Sequence, residues 1–145
     1  MIDNDSIIIQ AAWAASNTAV QTNSTSMQTH LTTTFQPMRT DTRTLVWFSF
    51  RADASRRASS QIDRTLRVQV LANGNNIPFA GLETVGFNFE NVASTGRDYE
   101  TTIRLGVFEH TNLNAITFAA RFSAINTNLW ADMYETRFAI LEVMK

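Results

Sequence analysis

From Met27 to Phe35, the positions Met27, Thr29, Leu31, Thr33 and Phe35 alternate with Gln28, His30, Thr32 and Thr34. A repeat of two sends every second side chain to one face of a strand, so this segment predicts a half-buried, Thr-rich strand with His30 on its polar side. Ile62, Leu66, Val68 and Val70 alternate in the same way with Asp63, Thr65, Arg67 and Gln69. Tyr99, Thr101, Ile103, Leu105 and Val107 alternate with Glu100, Thr102, Arg104 and Gly106. Leu45 to Phe50 is apolar at nearly every position, as is Phe138 to Met144. Strands of that kind are covered on both faces, either between two layers or between subunits. Val85 to Phe89 and Ile116 to Phe122 predict shorter strands, while the alanines of Ile7 to Ala15 fit a strand or a helix.

Turn chemistry separates these runs. Asn73-Gly74 after a strong strand is a hairpin signal, because both central residues of a two-residue turn take positive φ. Ser94 to Asp98 and Glu109 to Asn114 are further turns, and Ser123 to Glu135 predicts a longer loop or short helical turn. About eight strands without a long helical repeat between them predict an all-β fold, an antiparallel β-sandwich of jelly-roll type. No internal repeat or linker divides it, so a single domain is expected, with an N-terminal strand and polar segment over 1–44 and the sandwich over 45–145. Residues 16–44 are crowded with Thr, Ser, Asn and Gln. They read as an extended arm ordered against a neighbouring subunit, or as an exposed edge strand with polar loops.

At 145 residues the chain is long enough to bury about 68–70% of its unfolded surface. Only 17% of residues are charged, against roughly 25% in typical soluble domains, which suits a surface packed against neighbours. The net charge of -1 argues against nucleic acid as a partner. Eleven of the twelve basic residues are Arg, the exception being Lys145, and Arg tolerates interfaces better than Lys. Without Cys there are no disulfides or thiolate metal sites, and no run approaches the ~20 apolar residues of a membrane span. The start, Met1-Ile2-Asp3-Asn4-Asp5, lacks the positive charge of a secretory signal.

Catalytic groups are sparse. There is no GxSxG elbow, no HExxH and no glycine-rich phosphate loop. His30 and His110 read as solvent-facing. Asp132 with Glu135, or Glu83 with Glu90, could form carboxylate pairs, and Asp41 or Asp132 could contribute to a hard-cation site, but solvated surface acids are the plainer account. Arg56-Arg57-Ala58-Ser59 has a kinase-site look and reads as a polar loop tip. No enzyme activity, cofactor or metal is therefore expected. Among the tryptophans, Trp47 reads as core, and Trp130 in the Asn-rich loop reads as core or, among the three, as the best contact residue, with Asn126, Asn128 and Tyr134 beside it.

Thr117-Phe118-Ala119-Ala120-Arg121-Phe122, the Asn-rich loop, and Thr136 to Lys145 together resemble the closing hairpin of small jelly-roll domains in tailed-phage virion proteins. The Thr/Asn/Ser/Gln-rich, Lys-poor composition is similar as well, although the collagen-like repeat and coiled-coil stalk of fibre proteins are missing. The resemblance implies a homo-oligomer, a trimer being favoured, on a capsid or tail surface, made in the host cytoplasm. The expected function is that of a bacteriophage capsid decoration or cement protein, a structural protein contacting the major capsid or another virion protein without nucleic acid or membrane, its arm from Ser16 to Arg43 crossing a neighbour. The alternative expectation is a receptor- or carbohydrate-binding module of a phage tail or head fibre, using Trp130, Asn126, Asn128 and Tyr134.

Overall fold

The computed structural model describes residues 7–56, 64–77, 84–87 and 100–145, and all statements below concern these. They form ten strands and no helix: β1 (Ile8–Ser16), β2 (Val20–Thr22), β3 (Gln28–Phe35), β4 (Thr42–Arg56), β5 (Arg64–Ala72), β6 (Asn75–Asn76), β7 (Thr84–Phe87), β8 (Glu100–Glu109), β9 (Ile116–Ala124) and β10 (Leu129–Met144). The ambiguous N-terminal segment is strand β1. The expected loop over Ser123 to Glu135 is mostly strand, since β9 runs to Ala124 and β10 begins at Leu129. The turn at Ser94 to Asp98 and the Glu83–Glu90 pair lie outside the described residues.

Two antiparallel sheets pack face to face. Sheet A has the order β1-β10-β4-β8, with β2 also on β10, and sheet B the order β3-β9-β5-β6, with β7 also on β5. Setting aside the short β2 and β6, β1 pairs with β10, β3 with β9, β4 with β8 and β5 with β7. First pairs with last, second with seventh, third with sixth and fourth with fifth. That is one long antiparallel ribbon rolled into two layers, the strand order of a jelly roll.

The period-two pattern places the core. Val46, Phe48 and Phe50 of β4 and Phe138 and Ile140 of β10 point inward from sheet A. Phe35, Leu66, Val68, Val70, Ile116, Phe118 and Phe122 meet them from sheet B. Phe138 stands at 5.3 Å from Phe48 in its own sheet and 6.2 Å from Phe118 across the gap, centroid to centroid. The hairpin after β5 turns as expected, with φ of 50° at Asn73 and 80° at Gly74. Asn73 then ties the tip to β9 in both directions: its N–H donates to the Thr117 carbonyl, and its Oδ1 accepts from the Thr117 N–H, each at 2.8 Å.

The arm expected from Ser16 to Arg43 is not an arm here; the second reading of this segment holds. β2 adds to the edge of β10, and β3 is the edge strand of sheet B. Its polar side chains find partners on their own body: Gln21 Nε2 donates to Asp132 at 2.6 Å, and Gln36 Nε2 to the Leu113 carbonyl. Phe35 closes the segment into the core. A Thr-rich strand can do this because its hydroxyls tolerate water while its backbone completes the ladder.

His30 and His110 are both corrections. A bulge between Thr29 and Leu31 adds a residue to β3, which turns His30 from the polar side toward sheet A. There its Nδ1 lies 2.8 Å from Thr136 Oγ1, and its ring edge meets Phe122. His110, expected at the surface of a turn, is only 6% exposed, with Nε2 at 2.9 Å from the Arg39 carbonyl.

Candidate interaction surface

The two outer faces of the sandwich differ. Sheet B presents Thr32, Thr34, Thr117, Arg121, Arg67 and Gln69, an ordinary wet surface. On sheet A the direct cross-strand partners define two apolar rows. One runs Trp13, Ala139, Trp47, Leu105 across β1, β10, β4 and β8; the next runs Ala11, Leu141, Leu45, Val107. Partners opposed in an antiparallel ladder share a face, so all eight side chains point away from the core. Trp13 is 81% exposed, Leu105 48% and Val107 41%, while Trp47, Leu45 and Leu141 are half-buried by one another. The expectation that the Leu45 strand is apolar on both faces is met, but the Trp47 side chain belongs to the outer face and not to the core.

Charged residues rim these rows. Toward one end stand Arg51, Glu135 and Arg137, with Glu135 at 3.1 Å from Arg137 and 4.0 Å from Arg51. They line a shallow recess between β4 and β10 with Ser49 and Phe50. Toward the other end, Glu109 sits at 3.5 Å from Arg43 and 3.3 Å from Lys145. An apolar centre with a polar rim is how protein interfaces are built, and contiguous apolar patches of this kind on soluble proteins mark contact sites.

The proposed contact residues do not form one loop. Asn126 Oδ1 accepts from the Asn128 N–H at 2.9 Å, an Asx turn that closes the β9–β10 connection. Trp130 is half-buried in β10 opposite Ser55, and Tyr134 occupies the bulge where β10 slips between Met133 and Glu135. Their spacing along a strand, not a loop, separates Tyr134 from the turn.

Two buried acid sites were missed from sequence. Asp132 pairs with Asp53 of β4, not with Glu135; both aspartates are buried on the outer side of sheet A, at 7% and 1% exposure. Only the β4–β10 register brings them together, so no local pattern announces them. At the opposite end of β10, Glu142 is fully buried. Its carboxylate accepts from Thr42 Oγ1 at 2.6 Å, Gln10 Nε2 at 2.7 Å, Met38 N at 2.9 Å and Arg39 N at 2.9 Å. Burial pushes this carboxyl up, but the hydrogen bonds from Thr42, Met38, Gln10 and Arg39 outweigh it, leaving the pKa below the ordinary value. Its parity with Phe138 and Ile140 was the available signal: a charge on the core-facing register of a strand.

His110 Nε2, 3.1 Å from Thr42 Oγ1 and 4.0 Å from Glu142, completes a Thr-His-Glu constellation. Thr42 is fully buried and its hydroxyl lies between Glu142 and the Arg39 carbonyl, at 2.6 and 2.8 Å, so the constellation clamps the 36–42 segment, β1 and the end of β10 together. Asp41 beside it is solvent-facing, and the hydrogen bond from Arg39 holds its carboxyl below its ordinary value. Among the described residues no group of three or more His, Asp or Glu side chains is gathered to hold a metal.

No protein-family model matches the chain, and no curated protein matches it.

Proposed function

We propose that this chain is a non-catalytic structural protein that works by association, of the capsid decoration or cement type. The observation that carries the reading is the apolar outer face of sheet A, which leaves Trp13, Leu105 and Val107 in water unless a neighbour covers them. Covering Trp13 and Trp47 with their aliphatic neighbours would remove apolar area from water at about 25 cal/mol per Å². The jelly-roll strand order and the resemblance of the closing hairpin to tailed-phage virion domains support the setting. A protein of this kind stabilises a particle by mass action, binding the assembled lattice and not its dissociated parts.

Particles assembled with and without the protein test this reading. Those lacking it are expected to lose resistance to heat and osmotic shock. Equal resistance in the two preparations would reject the cement role.

A further inference from the structure

Resting on the association reading, we propose that the outer face of sheet A closes on a second copy of the same chain, about a two-fold axis running parallel to the strands between β4 and β10.

The cross-strand register carries this. An axis in that position lays β10 of one copy over β4 of the other, and β1 over β8. In the first row each Trp47 then lies over the partner copy's small Ala139, and each exposed Trp13 over Leu105. In the second row Leu45 meets Leu141, and Ala11 meets Val107. Trp47 and Val107 each fall on an alanine, which leaves room for the largest half-buried side chain of the face. Turning the axis perpendicular to the strands, between the rows, would instead set Trp47 over Leu45 and carry Arg51 past Thr42, away from any Glu135. Sheets that pack face to face also keep their strands within about 30° of each other, which the strand-parallel axis satisfies.

The rim charges agree. Glu135 and Arg51 are cross-strand partners flanking the proposed axis, so the two-fold lays Arg51 of each copy over Glu135 of the other, within the recess between β4 and β10. Beyond Arg51 the contact ends, because Asp53 and Asp132 are already buried within the chain. At the far end Arg43 would face Val143, leaving its bridge to Glu109 at the edge.

The area suffices. Four strands about 4.8 Å apart and five rows about 6.8 Å apart give a projected face of about 600 Å² per copy. Two copies bury about 1,200 Å² by that measure, above the ~1,000 Å² expected of a specific interface. An isologous pairing of this kind needs one self-complementary patch, which the outer face of sheet A supplies among the described residues.

Sedimentation of the full chain and two charge reversals test the pairing. The chain should sediment at twice its 16.3 kDa mass. Trp47→Ala should weaken the pair about 30-fold or more, as expected of a buried interface tryptophan. Arg51→Glu sets two acids against each other across the axis, and Glu135→Arg sets two arginines. Each variant alone should pair about 10-fold more weakly than the parent, whereas mixing them should restore pairing as a heterodimer carrying two opposite-charge contacts. Both reversals are on the surface rim, so circular dichroism of each variant should match the parent. A larger closed assembly, or a mixture no tighter than either variant, would overturn the two-fold axis while leaving association in place. A monomeric chain that still attaches to particles would overturn self-pairing and leave the structural role standing. A monomeric chain with no attachment would remove both.

Discussion

Replacing Glu142 with alanine is expected to destabilise the fold by about 3–5 kcal/mol, because it strips four buried or half-buried donors of one shared acceptor. The Met38 and Arg39 N–H groups would lose their acceptor beside a fully buried site, and Thr42 Oγ1 and Gln10 Nε2 would be left with only the Arg39 and Gln36 carbonyls, at 2.8 and 2.7 Å. The cost is concentrated at the open end of the jelly roll, where β1, the 36–42 segment and the end of β10 meet. The same carboxyl carries a pH dependence of definite sign. Its folded pKa lies below its ordinary value of about 4.5, so its contribution is fully present above that value and is lost as pH falls through the folded pKa. Asp41 titrates in the same acid range with the same sign, through its bond from Arg39. Comparison with Glu142→Gln isolates the Glu142 share: in urea melts below about pH 4.5, the parent should lose stability more steeply than the variant. Parallel slopes would mean that the carboxylate is not held by these donors.

Truncating Phe138 to alanine should cost a similar amount, about 3–5 kcal/mol, by a different mechanism. Its ring is 1% exposed and is the contact through which Phe48 and Phe50 of sheet A meet Phe118 of sheet B, which also takes an edge contact from Phe108 of sheet A. Neither sheet can collapse into the vacated space without dragging two backbone-paired strands, since β10 is bonded to β1 on one side and β4 on the other. The penalty therefore includes a cavity as well as lost transfer energy. Phe138→Leu keeps much of the volume and should cost about half as much. A melting temperature for Phe138→Ala within 2 °C or so of the parent would contradict the central placement of this ring.

Much of this architecture is legible in the chain. The alternation of Val68 and Val70, of Phe118 and Phe122, and of Phe138 and Ile140 names the inward face of three strands. Asn73-Gly74 names a turn whose two positive φ angles are present. What alternation does not show is where it slips. One extra residue at His30 and one at Tyr134 reverse the side on which the neighbouring side chains fall, and neither bulge has a sequence signature such as Gly. His30 was therefore assigned to water when it bridges toward Thr136. Polar composition misled in a second way, because the Thr- and Gln-rich stretch before Arg43 forms edge strands whose side chains bond to their own sandwich.

The interaction surface was half legible. An apolar run such as Leu45 to Phe50 signals that both sides of a strand are covered, but it does not distinguish a second layer from a second molecule. Only the register that aligns Trp13 with Ala139, Trp47 and Leu105 turns scattered residues on four strands into one patch. The Asn126 to Tyr134 segment illustrates the reverse: a cluster of polar and aromatic residues adjacent in sequence became a turn followed by a strand, with Asn126 spent on closing the turn.

Hydroxyl-radical footprinting of side chains, compared between the dilute chain and its assembled form, tests association through this face most directly. Trp13, Trp47, Leu105 and Val107 should lose reactivity together on assembly, while sheet B residues such as Thr117 and Arg121 keep theirs. Unchanged reactivity at Trp13 and Trp47 in the assembled form would show that the apolar face of sheet A is not the contact surface.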